Sequence, residues 1–402
     1  MIEVPPTPPF DPPPRDARLA DFLSAYPPSV FSERLYRSIE LMERYTIDLS
    51  INVLTQLRVF DQLDHARSAV ELCELLKFQP RFKFALGWLL QRLIETGCVE
   101  TRWDDESSTA PRFRLRSSPW LPALERLRGI GLEIDPANAP TLDPLDKAAS
   151  LYPAVARGEQ SGEQALFGAQ GIPLWLSYFS NENPTYAVNN WIGAIAACER
   201  MKGRERLRIL EVGAGASSGS EILLKCLDRL NLLPFLDRYL ITEPNAFFLR
   251  RGQRELSRSF ANLPLEWRSL DLNQPWTDQR VRPGEFDLIY GVNVLHVAKD
   301  LRFSLGQAHQ ALAENGWLII GECVRPHPHQ PIYVELIFQL LDSFTEVTIE
   351  PEFRPNPGFL TSDQWVRSFT RAGFARVEVT PDFHRICEIY PHFFTAAICG
   401  QR

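Results

Sequence analysis

The sequence predicts an α/β protein: a Rossmann-like, seven-stranded doubly wound domain in the C-terminal half, preceded by a mostly α, winged-helix-like N-terminal domain. Three observations predict this. Leu207 to Val212, apolar apart from Arg208 and Glu211, reads as a buried parallel strand that runs into Gly213 and Gly215, and an amphipathic helix then opens at Ser220-Glu221. From residue 239 onward, strand and helix patterns alternate, with ionisable side chains at successive strand ends. Between about 30 and 118, three helical patterns are followed by a short hairpin pattern, the order of a winged helix.

Residues 1–29 form a Pro-rich arm (Pro5, Pro6, Pro8, Pro9, Pro12, Pro13, Pro14, then Pro27-Pro28), a composition incompatible with a helix interior. It reads as a disordered tail or as an extended arm that packs on a partner subunit. The 30–118 domain places one amphipathic helix from near Ile47 to Leu63, a second behind the Ser68 cap and a third from Pro80 to Glu95. A hairpin then runs through Gly97–Arg102, a polar turn around Asp104 to Ser108, and Arg112–Leu115. The third helix carries Arg81, Lys83 and Arg92, yet Phe82, Phe84, Leu86, Trp88, Leu89, Leu90 and Leu93 make it too apolar for a DNA groove. A dimerising or substrate-capping module, hence a homodimer, is expected instead. Residues 119–200 read as a helical connector (148–156, 163–167 and 186–201) broken by Pro153, Pro173 and Pro184. Its aromatic residues Trp175, Tyr178, Phe179, Tyr186 and Trp191 suit either interdomain core or the wall of an apolar substrate pocket.

The composition bounds the function. The chain has 402 residues, 45% hydrophobic and 23% charged, which is ordinary for a protein of two or three globular domains. A net charge of −7 argues against broad binding to nucleic acid or to an anionic membrane. The seven cysteines are dispersed, without C-x-x-C pairs or histidines at zinc spacing, so reduced thiols in a cytoplasmic protein and no metal are expected. No stretch is long and apolar enough for a membrane span, and the N-terminus lacks the apolar core of a signal peptide.

The 201–402 domain is then read strand by strand. Tyr239–Glu243 is the second strand and Leu265–Leu270 the third, with Asp271 and Leu272 after it. Phe286–Val292 is the fourth and leads into Asn293-Val294-Leu295-His296. Gly316–Gly321 is the fifth and ends at Glu322-Cys323; 376–379 and 394–399 close the sheet as a hairpin behind a helix at 361–372. Ligands of open α/β sheets sit at the carboxyl ends of the strands. Glu243, Asp271, His296 and Glu322 all fall there.

The glycine turn selects the ligand. A dinucleotide fingerprint asks for G-x-G-x-x-G, but Ser218 occupies the third glycine position. Glu211, two residues before Gly213, puts an anion near the ligand and so suits a cationic nucleoside. Glu211-x-Gly213-x-Gly215 after a strand resembles the first motif of class I S-adenosylmethionine-dependent methyltransferases. On this reading Glu243 takes a ribose hydroxyl pair, Asp271 accepts from an exocyclic adenine amine, Leu272 lies on the ring face, and Asn293 lines the site. The co-substrate is S-adenosyl-L-methionine, and the acceptor is a small molecule.

Asn293-Val-Leu-His296-Val-Ala-Lys-Asp-Leu301, followed by Gly316-Trp-Leu-Ile-Ile-Gly-Glu322, is similar to the C-methyltransferase domains of polyketide synthases. In that family a histidine and a glutamate at these positions form the catalytic dyad, which implies His296 as base and Glu322 as its partner. The N-terminal pattern resembles the plant and antibiotic O-methyltransferases, whose N-terminal module dimerises. Ser217, Ser218 and Thr242-Glu243-Pro244 depart from the polyketide pattern, which has glycines at the first two places and Thr-Asp-Ile/Val at the last three.

The chemistry needs these residue types. A sulfonium methyl is already activated, so the protein must align nucleophile, carbon and sulfur. The acceptor must also lose a proton; histidine titrates near neutrality, and a carboxylate fixes its tautomer. Three functional classes follow: a methyltransferase of secondary metabolism acting on oxygen or carbon, an enzyme of carrier-bound polyketide-type substrates, and a non-catalytic S-adenosylmethionine-binding winged-helix regulator. The presence of both His296 and Glu322 disfavours the last. His327 and His329 lack further zinc ligands and read as a surface loop.

Overall fold

A computed structural model describes residues 17–20, 23–102 and 111–402. The prolines from Pro5 to Pro14 and the expected turn at 104–108 lie outside the described residues. The chain forms two compact units. One comprises Tyr36–Tyr178 with His327–Thr345; the other comprises the described residues up to Leu35, Phe179–Pro326 and Glu346–Arg402. Among the described residues, no helix is long and apolar enough to cross a membrane, and no group of three or more potential ligands could hold a metal ion.

Helix α1 (Glu33–Gln56), which lies in the first unit from Tyr36 onward, starts well before the helix expected near Ile47. Leu35, Ile39, Met42, Thr46 and Ser50 are buried along one stripe, and the acidic and basic residues between them hid that period from a reading by hydrophobicity. Arg58, in the left-handed region at φ 58°, turns the chain after α1. Strand β1 (Arg67–Ser68) leads into α2 (Ala69–Leu76), whose Ser68 and Glu71 form a capping box. A turn at Pro80–Phe82 leads into α3 (Lys83–Arg92), and β2 (Val99–Arg102) and β3 (Arg112–Leu115) form the expected hairpin. β1 adds a third strand, in the order β1-β3-β2. Two of the basic residues of the third helical segment are spent internally. Arg81 pairs with Asp342, and Arg92, buried, bonds Glu43 at 2.6 Å. After α4 (Leu124–Ile134), α5 (Ala139–Arg157) runs through both Pro144 and Pro153. The expected break at Pro153 does not occur, because ten buried side chains of α5 hold it in place.

The segment 327–345 belongs to this unit through a buried polar network. Glu43 accepts from the Tyr333 amide at 2.9 Å, Glu335 accepts from Trp88 Nε1 at 2.8 Å, and Tyr152 donates to the Leu336 carbonyl at 2.7 Å.

The second unit is built on a seven-stranded sheet. Its strands are β4 (Leu207–Glu211), β5 (Leu236–Thr242), β6 (Leu265–Arg268), β7 (Phe286–Val292), β8 (Leu312–Cys323), β9 (Arg376–Thr380) and β10 (Thr395–Gln401). The order is β6-β5-β4-β7-β8-β10-β9, with β10 antiparallel to both neighbours. Of the five parallel strands, β4, β5, β7 and β8 are buried on both faces along most of their lengths, as expected where helices cover both sides, whereas the edge strand β6 is only partly covered. Helices α6 (Pro184–Met201) and α7 (Ser218–Arg229) pack on one face. Helix α8 (Ala246–Ser259) follows β5, and α9 (Leu301–Ala311) and α10 (Ser362–Arg371) cover the β8–β10 region of the other face. Two glycines allow these approaches. A β-carbon on Gly321 would lie 2.9 Å from the Asn189 carbonyl oxygen of α6, and one on Gly400 would lie 2.5 Å from Phe369 of α10.

Candidate active site

The carboxyl end of the sheet gathers the predicted residues. At the end of β4 the backbone turns through Gly213 (φ 63°) and Gly215 (φ 52°), where side chains are strained. A β-carbon on Gly213 would also strike Val294 at 2.2 Å, so this position admits only glycine. The Ala214 amide donates to the Thr242 carbonyl, which ties the turn to β5.

Glu211 is buried. Its Oε2 accepts from the Ser220 and Tyr239 hydroxyls, both at 2.6 Å. Burial pushes its carboxyl up to about 7, against the two hydroxyl bonds, and the charge of Glu243 pushes the same way. Glu243 holds the turn from the other side, Oε2 accepting from the Gly215 amide at 2.9 Å and Oε1 from the Asn245 amide at 2.8 Å. Its carboxyl is also raised by burial, against those two amides. Asp271 is exposed and accepts from the Asn273 amide at 2.9 Å, closing a turn beside buried Leu272.

Beyond β7, Asn293 adopts φ 49°. Its side chain accepts from the Cys323 amide at 2.8 Å and its own amide donates to Gly321, so one residue pins the ends of β7 and β8 together. The next residues wrap around Glu322. Its Oε1 accepts from the Val294 and Leu295 amides at 3.0 and 2.8 Å. Its Oε2 lies 2.7 Å from His296 Nδ1, with both side chains buried. The His296 ring rests against Phe359, centroids 4.5 Å apart.

Two contributors, Arg354 and Asn189, had no role in the sequence reading, and a third, Tyr186, appeared there only among the aromatic residues of the connector. Arg354, fully buried, donates to the His296 and Ala298 carbonyls, each at 2.6 Å, and so clamps the loop that presents the histidine. Burial lowers its guanidinium to about 10. No period or motif marks it in the sequence. From α6, the Tyr186 hydroxyl bonds the Ser218 side chain, and desolvation pushes its phenol up. Asn189 accepts from the Cys323 thiol at 3.9 Å. The usable signal was Asn189-Asn190, a polar pair inside an otherwise apolar helical run.

The predicted residues thus fall into two groups. Glu211, Gly213, Gly215 and Glu243 come together around the turn, and Asn293, His296 and Glu322 come together at the ends of β7 and β8. Asp271 and Leu272 stand on their own loop. The donor set fits the expected co-substrate: the causes acting on Glu211 and Glu243 include no lysine or arginine, which suits a cationic nucleoside better than a pyrophosphate.

Residues 210–318 match a family model described as a methyltransferase domain. The chain carries a methyltransferase domain. The solved trans-methyltransferase CalH, whose fold this chain shares with TM-score 0.60 at 17% identity over 90% of each chain, was obtained in complex with S-adenosylhomocysteine. The chain is also similar to the polyketide synthase ThaQ of Burkholderia thailandensis, 26% identical over 239 residues that cover 58% of this chain and 11% of that protein. It therefore spans about a tenth of the length of such curated relatives. Among solved structures, the fold matches the CurJ carbon methyltransferase (TM-score 0.73, 22% identity, 90% of this chain and 91% of that one). It matches the DszA carbon methyltransferase with TM-score 0.71 at 23% identity, over 98% and 97% of the two chains. Both likenesses extend over the N-terminal region as well as the methyltransferase domain.

Proposed function

We propose that this methyltransferase alkylates an acidic carbon of a polyketide-type acyl substrate, with His296 as the base. The observation that carries the reading is the 2.7 Å contact of His296 Nδ1 with a Glu322 that two amides already hold in place. A carboxylate there favours the Nδ1–H tautomer and puts the basic lone pair on Nε2. It also stabilises the imidazolium formed when the acceptor is deprotonated. The full-length likeness to two carbon methyltransferases and the similarity to polyketide synthases support carbon over oxygen and an acyl acceptor.

S-adenosylmethionine supplies an electrophilic methyl group on its sulfonium. Around it, Gly213 and Gly215 bring bare backbone to the ligand, and Glu243 uses its remaining lone pairs for the ribose hydroxyls. Asp271 and Leu272 receive the adenine, and Asn293 and Arg354 keep the histidine loop in register with the turn.

The test is proton exchange. In D2O without S-adenosylmethionine, the enzyme should exchange the α-protons of a β-ketoacyl N-acetylcysteamine thioester, and with methyl-labelled co-substrate it should yield a C-methyl product. A methyl ether as the product, or exchange that persists unchanged in His296→Ala, overturns the reading.

A further inference from the structure

Asn190, in the second turn of α6, is fully buried. Its amide nitrogen donates to Asn181 Oδ1 at 2.8 Å. Asn181 is oriented in turn, its nitrogen donating to the Ser218 carbonyl and to Glu221 Oε2, each at 3.0 Å. This chain of bonds settles which end of the Asn190 amide is oxygen. That oxygen is buried and has no hydrogen-bond partner among the described residues, an arrangement that folding penalises unless a donor arrives from outside the chain.

The direction of that oxygen is defined by Gly219, in the first turn of α7. A β-carbon placed there would lie 3.4 Å from Asn190 Oδ1 and 3.7 Å from Glu211 Oε1. Two acceptor oxygens therefore converge beside the helix that follows the glycine turn. Glu211 Oε2 is occupied by Ser220 and Tyr239, and among the described residues the groups acting on the Glu211 carboxyl are these neutral hydroxyls and the Glu243 carboxylate. Buried carboxylates are normally paired with a cation. A positively charged group with several N–H donors satisfies both oxygens and neutralises the carboxylate.

We infer that Asn190 Oδ1 and Glu211 Oε1 jointly receive the α-ammonium at the amino-acid end of S-adenosylmethionine. Asn190 then reads a part of the ligand distant from the reacting methyl, from a helix that precedes the first strand of the sheet. The assignment rests on the reading that the co-substrate occupies the glycine turn.

Calorimetry with two ligands tests it. S-adenosylhomocysteine has the amino-acid end, and 5′-methylthioadenosine shares the adenosine and thioether but lacks it. Asn190→Ala should weaken S-adenosylhomocysteine at least about 10-fold, the scale of one hydrogen bond to a charged group, and leave methylthioadenosine within about 2-fold. Equal weakening of both ligands, as when Asn190 only holds a buried water or the helix packing, overturns the inference, and so does no weakening of either. If Asn190→Ala fails to fold, Asn190→Ser, too short to reach the ligand, carries the same comparison. Wild-type protein that binds neither ligand sinks the prior reading of the glycine turn and is thereby distinguished from a failure of the Asn190 assignment.

Discussion

Two buried glutamates end two strands of the same sheet, and their surroundings differ. Glu322, at the end of β8, has two backbone amides on one oxygen and an imidazole on the other. Glu211, at the end of β4, has two neutral hydroxyls on one oxygen, a second carboxylate nearby and, among the described residues, no cation acting on it. The first region is complete without a ligand: its donors come from the residues it organises. The second is short of positive charge. The difference teaches that burial of an acid, by itself, does not tell a structural or orienting carboxylate from a binding one; the supply of donors does.

The largest effect should come from the β8 side. His296→Ala is expected to lower turnover by about 100-fold or more, the range of general-base loss, while calorimetric affinity for S-adenosylhomocysteine is unchanged. Wild-type turnover in that variant would remove chemistry from this region and leave the contrast without content.

The β4 side should show itself in stability against pH. The folded-state value of Glu211 lies near 7, above its ordinary 4.5. The folded chain therefore keeps a proton that the unfolded chain releases. Its stabilising contribution is full below pH 4.5 and is lost as pH rises through about 7. The swing is up to about 3 kcal/mol at roughly 1.4 kcal/mol per unit. Urea unfolding of the ligand-free protein should show the wild type losing that much relative to Glu211→Gln across the window. Parallel pH profiles for the two proteins would erase the asymmetry between the glutamates.

Arg354→Met sharpens the β8 side further. Losing the donor to two buried carbonyls should cost about 2 kcal/mol of stability, taken at the low end of the range for each. It should also lower kcat with co-substrate affinity preserved, because the carbonyls belong to the histidine loop. The smallest effect is expected at the exposed rim. Asp271→Ala should weaken S-adenosylhomocysteine by about two- to ten-fold through one lost hydrogen bond, without touching turnover at saturation. A loss beyond about 100-fold there would mean the rim carries binding that the β4 turn was thought to supply.

Much of this was legible in the chain, and for a local reason. A strand, a glycine turn and the acid before it are neighbours in sequence, as are a strand end and the histidine four residues beyond it. All seven strands of the sheet, and the place of His296 and Glu322 at strand ends, could therefore be read from patterns only a few residues long, while the pairing of the two came from the resemblance to polyketide C-methyltransferase domains. Arg354 and Asn190 could not. Arg354 meets the His296 carbonyl 58 positions away, and Asn190 acquires its meaning only when α6 lies on the sheet. Likewise α1 hid its first half because charged residues fill the spaces between its buried ones, and β1, two residues long, carries no alternation to detect.

Gly321 has a consequence that reaches both halves of the comparison. Its bare α-carbon sits under the Asn189 carbonyl of α6, beside Asn190, and its chain neighbour is Glu322. A single methyl group added there would act as a wedge, lifting the helix that carries Asn190 and shifting the strand that carries Glu322. If Asn190 and the His296–Glu322 pair act as proposed, grip on the co-substrate and readiness to deprotonate the acceptor are mechanically joined at this one position, and substitutions at residue 321 should impair both together.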